Sequence, residues 1–158
     1  MKIFTDNEYF RILNSRDTIF KAFEYLKGDF GMIISVLDKE NFFLGVVTSG
    51  DLRRNILNGY SQDTTLIKVL NKNPLVVRID KKGNKIIEKK DDNNYLKKNK
   101  GKSIQKSVAE AFGIESFLIP VIDHNNKLIG VTNFNELETP FTEKDYINVV
   151  NNPHILIV

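Results

Sequence analysis

The 158-residue sequence predicts an α+β fold: two copies of one strand–helix–strand–strand–helix unit, packed about an approximate twofold axis. Three observations carry that expectation. A segment recurs at a constant offset, the order of element types is the same in both copies, and neither unit is long enough to bury a core alone. "TIFKAFEYLKGDFGMIISVLDKENFFLGVVTSGDL" (18–52) aligns without a gap on "SIQKSVAEAFGIESFLIPVIDHNNKLIGVTNFNEL" (103–137), 85 residues further on. Ile19, Gly28, Ile34, Val36, Asp38, Asn41, Gly45, Val46 and Leu52 recur as Ile104, Gly113, Ile119, Val121, Asp123, Asn126, Gly130, Val131 and Leu137.

Each element follows from local pattern. "FRIL" reads as the first strand, and Ile19, Ala22, Phe23 and Leu26 then fall at i, i+3, i+4 and i+7 on one helical stripe. Gly28 ends that helix, being tolerant of positive φ. "MIISVL" is a short buried strand, "DKEN" a polar turn of hairpin length, and "FFLGVV" the returning strand. A helix starting near Gly50 follows, with Ile56 and Leu57 as its inner face and Asn58-Gly59 as its stop. "DTTLIKVL" reads as a connecting helix capped by Asp63. The second copy opens on "PLVVRI" near Pro74 and runs helix 103–112, strand 117–122, turn "DHNN", strand 127–132 and a helix from about 134. The expected boundaries are 5–72 for the first repeat with its linker, 73–140 for the second, and 141–158 for a trailing segment.

Composition narrows the class. Hydrophobic content of 41% with 27% charged residues is that of an ordinary globular protein. Without cysteine there are neither disulfides nor thiolate metal sites, and a cytoplasmic setting is expected. The longest apolar runs are too short to span a bilayer, and "MKIFTDNEYF" lacks the apolar core of a signal peptide. The formal charge of +3 is local: residues 81–102 hold nine basic and three acidic residues, so the other 14 basic and 17 acidic residues leave the remainder at −3. That lysine-rich stretch reads as a solvated, mobile insert upstream of the second helix; a clamp on an anionic ligand or nucleic acid is the alternative. His124 and His154 are remote from one another, so no metal site is expected, and no catalytic constellation stands out.

The strand-to-helix turn "LGVVTSGDLRR" carries the chemistry. Thr48 and Asp51 flank Gly50 at a helix N-terminus, where free N–H groups and the positive dipole end favour anionic groups. Gly50 permits close backbone approach. Thr-x-x-Asp is equally the spacing of a capping box. Asn133, Asn135 and Glu136 stand at the same offset in the second copy, good as a cap and poorer as a ligand grip. Arg53 and Arg54 diverge by about 100° on a helix, so only one can face a ligand phosphate. Thr18 is explained as an N-cap.

The pattern "IISVLDKENFFLGVVTSGDLRR" followed by "IPVIDHNNKLIGVTNFNEL" resembles a tandem pair of CBS domains, a Bateman module, over about residues 5–140. The resemblance implies adenosine-type nucleotides (AMP, ADP or ATP) in clefts between repeats, regulation of an attached catalytic domain, and frequent homodimers, with no cofactor required. It implies that Thr48 and Asp51 grip a ribose, that Thr18 reaches a phosphate, and that Thr48, Gly50, Asp51, Arg53 and Arg54 form the better site. "HILIV" (154–158) also resembles the first strand of a sugar-phosphate nucleotidyltransferase, with a regulatory CBS pair in front; adding to this domain's own sheet is the alternative. "TSGDLRR" is similar as well to CBS pairs trailing sugar-phosphate isomerases, in which the catalytic domain comes first. A ligand-free dimerisation module is the competing function. Binding to nucleic acid or to a membrane is not expected.

Overall fold

A computed structural model of the chain describes residues 1–6, 8–26, 32–90, 118–133 and 136. Repeat 1 contains β1 (Arg11–Asn14), α1 (Ile19–Leu26), β2 (Ile33–Leu37), β3 (Phe43–Thr48) and α2 (Ser49–Leu57). Repeat 2 contains β4 (Leu75–Ile79), β5 (Lys85–Lys89), β6 (Leu118–Asp123) and β7 (Leu128–Asn133). The helices expected at 103–112 and from 134, the Gly28 stop, and the segment 141–158 lie outside the described residues.

The strands form two sheets, ordered β1-β2-β3 and β5-β4-β6-β7. In each, the leading strand runs parallel to the hairpin's first strand: Leu13 pairs with Val36, and Val77 with Val121. The hairpins repeat residue for residue. Ile33 opposes Thr48 and Leu118 opposes Asn133, and the register slips between Val36 and Leu37 and again between Val121 and Ile122. Both turns also agree. The Asp38 carboxylate accepts from Glu40 N (2.8 Å) and Phe42 N (2.9 Å), with Asn41 at φ 68°. The Asp123 carboxylate accepts from Asn125 N (2.8 Å) and Lys127 N (3.0 Å), with Asn126 at φ 62°. Asparagine tolerates that left-handed conformation, so the recurring Asp and Asn are turn chemistry.

An approximate dyad is visible where the hairpins meet. Phe42 bridges antiparallel to Lys127, its own equivalent, and an isologous contact pairs a residue with its counterpart in this way. Phe43 N donates to Asn126 O (2.8 Å), Lys127 Nζ donates to Glu40 O (3.0 Å), and that ammonium lies 4.0 Å from the Phe42 ring centroid. At the far end the exchange is reciprocal: Asn71, leading into repeat 2, pairs with Val46 of β3, and Phe4, leading into repeat 1, pairs with Val131 of β7.

Alternation along β2 divides the interior. Ile34 and Val36 join Leu13, Ile19, Ala22, Leu26, Val47, Leu52 and Leu66 in a core beneath the helices. Ile33 and Leu37 join Phe10, Phe43 and Val46 against Val76, Leu118, Ile122, Leu128 and Val131 of the second sheet. The inter-sheet core therefore needs both repeats, as the short units demanded. Ser35 lies on β2 between Ile33 and Leu37, fully buried, and its hydroxyl has no partner.

Four details correct the sequence reading. Phe23 is on the rim of the α1 stripe, which buries Ile19, Ala22 and Leu26. On α2 the inner face is Leu52 and Ile56, four residues apart, whereas Leu57 is turned outward and 78% exposed. The connecting helix is a single 3-10 turn, Leu66–Lys68, preceded by Thr65 rather than capped by Asp63. The chain before it turns at Gln62-Asp63 and is tied to the start of α1: Ile19 N donates to Thr64 O (2.9 Å), Phe20 N to Gln62 O (3.0 Å), and Leu66 N to Asp17 O (2.8 Å).

The fourth correction concerns the lysine-rich insert. Its first part is a strand, β5, paired antiparallel along the whole of β4. Ile87 and Glu88 are buried, and Arg78 Nε donates to Glu88 Oε1 at 2.6 Å. The connecting turn "DKKGN" is a third copy of the same device: the Asp80 carboxylate accepts from Lys82 N (2.9 Å) and Asn84 N (2.8 Å), with Gly83 at φ 81°. Those hydrogen bonds, from Asn84 first, hold the Asp80 carboxyl below its usual range. Residues 91–102 lie outside the described residues.

Candidate functional site

The first notch forms where β3 hands the chain to α2. Thr48 is the last residue of β3, extended at φ −113°, ψ 167°. The next residue starts a nine-residue helix whose first N–H groups lack intrahelical partners. Thr48 Oγ1 accepts from Asp51 N (3.1 Å), and Asp51 Oδ2 accepts from Thr48 N (3.0 Å), which completes a capping box. Asp51 Oδ1 accepts from Arg54 Nη2 at 2.6 Å, and Asn55 Nδ2 returns to Asp51 O (2.7 Å). Leu52, fully buried, fixes the turn from below, while Thr48, Ser49, Gly50 and Asp51 are all half-exposed. The turn is capped but open.

The arginine pair resolves by helical geometry. Both are exposed, and Arg54, three residues from Asp51, is the one that lies over the carboxylate. Thr18 belongs to a different surface. Its hydroxyl accepts from Lys21 N (3.2 Å), and the linker carbonyls of Thr64 and Gln62 take the N–H groups of Ile19 and Phe20. The start of α1 thus has no free N–H in its first three residues, so Thr18 is a cap with no anion cradle beside it. Met32, read in sequence only as strand, is half-buried, packs against both cores, and is one residue from the Ile33–Thr48 pair. Its apolar side chain at a strand's entry gave no signal separable from core packing.

At the equivalent place in repeat 2, Asn133 and Glu136 are engaged differently, and Asn135 lies outside the described residues. Asn133 Oδ1 is buried without a hydrogen-bond partner. Glu136 Oε2 accepts from the backbone of Lys2 (2.9 Å), whose carbonyl accepts in turn from Thr132 Oγ1 (2.8 Å). The Glu136 carboxylate thus engages the N-terminal segment, whereas Asp51 folds back on its own turn. Among the described residues no three His, Cys, Asp or Glu side chains converge as metal ligands, and no helix is long and apolar enough to cross a membrane.

Paired hairpins related by an approximate dyad, with a strand-to-helix notch at the end of β3, match a tandem CBS fold, and comparison with known proteins agrees. Residues 7–58 match the model of the CBS domain family. The structure is similar to the cystathionine beta-synthase pair domain of a Shewanella oneidensis MR-1 protein (TM-score 0.52, 14% identity, 81% of this chain and 61% of that chain). This chain therefore spans less than two thirds of the Shewanella one. It is also similar to a CBS domain protein from Pyrobaculum aerophilum complexed with AMP (TM-score 0.52, 14% identity, 91% and 93% covered). A third likeness is to the CBS domains of a transcriptional regulator from Streptococcus pneumoniae (TM-score 0.50, 20% identity, 86% and 98% covered). No curated protein matches the chain by sequence.

Proposed function

We propose that the chain is a regulatory module that binds an adenine nucleotide at the Thr48–Asp51 notch. The observation that carries this is the half-exposed capping box at the start of α2, with a carboxylate whose outer oxygen is held only by the solvent-exposed Arg54. An exposed ion pair of this kind is worth about 0–1 kcal/mol, so a ribose diol can displace it at small cost. Asp51 then accepts from the ribose hydroxyls, Gly50 admits the ligand close to the backbone, and Arg54, released, meets the phosphate. The AMP bound to the Pyrobaculum protein supports the same ligand class here. Ligand bound between repeats acts on an attached domain only through its differential affinity for two arrangements of the module.

Titration calorimetry with AMP, ADP and ATP tests this. Binding to the wild-type chain, lost in Asp51→Ala with the fold retained by circular dichroism, is the expected result. No heat with any of the three at millimolar concentration would refute it.

A dimerisation role is favoured by a separate observation. Phe20 (52% exposed), Phe23, Leu57 and Tyr60 stand exposed on and beside the two helices. Sedimentation of Leu57→Asp should then shift toward monomer, and an unchanged sedimentation coefficient would count against it. Attachment to a sugar-phosphate nucleotidyltransferase rests on the resemblance of residues 154–158 to the first strand of such an enzyme, and of TSGDLRR and the turn 133–136 to CBS pairs that precede it. A parent gene that continues into a Gly-rich nucleotide loop would support it, and any other continuation would end it.

A further inference from the structure

The same hairpin turn is built in both repeats, but the space beside it is filled in only one. In repeat 2 that space holds a guanidinium. Arg78 Nε donates to Glu88 Oε1 of β5 (2.6 Å), and Arg78 Nη1 donates to the Asp123 carbonyl (2.8 Å) and to Asn126 Oδ1 (2.9 Å). Asn126 is the turn residue of positive φ, and Arg78 lies opposite Ile122 of β6.

Repeat 1 keeps the acceptors without the cation. Asn14 opposes Leu37, the counterpart of Ile122, so Asn14 stands in Arg78's place with a much shorter side chain. Its Nδ2 reaches the Asp38 carbonyl at 3.3 Å, and no described side chain gives Asn41 the bond that Arg78 gives Asn126. A carboxylate is present as well. Asp17 Oδ2 accepts from Asn14 N (2.7 Å), and Asp17 Oδ1 accepts from the exposed Lys21 ammonium (3.2 Å). These groups, with Tyr25 and Leu37, line a groove of about 200 Å³. An open strand edge adjoins it. Asn14 turns its N–H away from β2, to Asp17, and by strand alternation Ile12 turns its N–H and C=O the same way. In repeat 2 that side of β4 is taken by β5, with Val76 opposite Glu88. The groove lies at the hairpin-turn end of the sheet, where Leu37 opposes Phe43, and the Thr48 notch lies at the other end, where Ile33 opposes Thr48.

We propose that this groove seats the guanidinium of an arginine carried on an extended segment of a partner chain, which pairs with the Ile12 backbone. The three kinds of acceptor that Arg78 uses are in place: a backbone carbonyl, an asparagine Oδ1 and a carboxylate. A planar guanidinium addresses all three at once, whereas an ammonium lacks the fork. Lys21 already sits on Asp17 and opposes an incoming cation. That ion pair is exposed and worth little, so the ammonium moves to solvent and hands over the carboxylate. Arg11, the other cation of β1, is held away from the groove with its Nη1 on the carbonyls of Tyr25 and Leu26, and Arg16 is exposed. Tyr25, 41% exposed, offers an aromatic ring beside the seat.

Magnetic-resonance titration of the full chain with the capped peptide acetyl-Val-Arg-Val-amide, and with its lysine counterpart, tests this. The arginine peptide should shift the side-chain amides of Asn14 and Asn41 and the backbone amide of Ile12. The lysine peptide should bind roughly tenfold more weakly or worse. Asp17→Asn keeps an acceptor for Asn14 N but removes the charge, and should weaken the arginine peptide by about tenfold. Asn14→Arg supplies the guanidinium from within, as repeat 2 does, and should abolish binding of the peptide. No shift at these amides with millimolar arginine peptide, or equal affinity for the two peptides, would overturn the proposal. Unchanged affinity in Asp17→Asn or in Asn14→Arg would do the same, and should Asn14→Arg fail to fold, the peptide pair and Asp17→Asn decide between the outcomes.

Discussion

Repeat 1 and repeat 2 share a hairpin down to its bulge and its asparagine of positive φ, yet they finish their edges in opposite ways. Among the described residues the leading strand of repeat 1, β1, stands at the sheet edge, beside a groove of about 200 Å³ lined in part by Ile12, Asn14 and Tyr25. In repeat 2 the equivalent strand β4 is covered by β5. The residue at the joint differs to match. Register makes Asn14 the counterpart of Arg78, and both donate to the carbonyl of the hairpin's aspartate, Asn14 to Asp38 (3.3 Å) and Arg78 to Asp123 (2.8 Å). Arg78 alone also holds Glu88 and the Asn126 side chain. The hairpin is the shared scaffold, and the individuality of each repeat lies in what its leading segment is asked to cover.

The sharpest way to break this comparison is at that joint. Arg78→Ala leaves Glu88, 5% exposed, without its cation and should cost on the order of 3–5 kcal/mol by chemical denaturation. Asn14→Ala should cost only about 1 kcal/mol, the worth of an ordinary hydrogen bond. Equal costs would mean that the two edges are not differently built.

The glycines under the crossing segments come next. A Cβ at Gly45 would stand 2.1 Å from the Asn71 carbonyl, in a linker fixed at both ends, and Gly45→Ala should cost about 3 kcal/mol. A Cβ at Gly130 would meet the Ile3 side chain at 2.5 Å and the Phe4 carbonyl at 2.8 Å, a milder clash than at Gly45, and Gly130→Ala should cost less, about 1–2 kcal/mol, while speeding amide exchange at Phe4. Thermal melts that rank the two in reverse would show residues 1–5 to be the stiffer of the two crossing segments.

At the notches the expected effects are smaller. Thr48→Ala removes a working cap and should lose about 1 kcal/mol, together with nucleotide binding. Asn133→Ala deletes a side-chain oxygen that bonds to nothing and should leave the melting temperature unchanged or slightly raised. Ser35→Ala closes the series. Its hydroxyl is buried and unpaired at the position where repeat 2 carries Pro120, so the alanine variant should equal or exceed the wild type by a few tenths of a kcal/mol to about 1 kcal/mol. A clear loss would place an unseen partner on that hydroxyl.

The parts legible in sequence were those fixed by neighbours along the chain. The hairpins, the α2 stop and the Thr48–Asp51 spacing all rest on contacts within about five residues, and the constant 85-residue offset doubled the signal for the hairpins. What escaped was set by partners far away in sequence. β5 was hidden because nine lysines within 22 residues mask a short apolar pair, Ile86-Ile87, whose burial depends on β4 and on Arg78. The "DKKGN" turn was its available sign, and charge composition overrode it.

The sequence by itself determined that there are two equivalent hairpins, where each turns, and that Thr48 and Asp51 stand at the strand-to-helix notch after β3, because hydrogen bonds and side-chain periodicity over a few residues dictate these. Only the tertiary structure decided that the halves exchange their leading segments across a dyad, that Asp51 is bound within its own turn while Glu136 accepts from the Lys2 amide, and that Thr18 has no cradle beside it. Those outcomes depend on which backbone donor the folded chain brings to a given carboxylate, Thr48 N three residues away for Asp51 and Lys2 N from the far end of the sequence for Glu136.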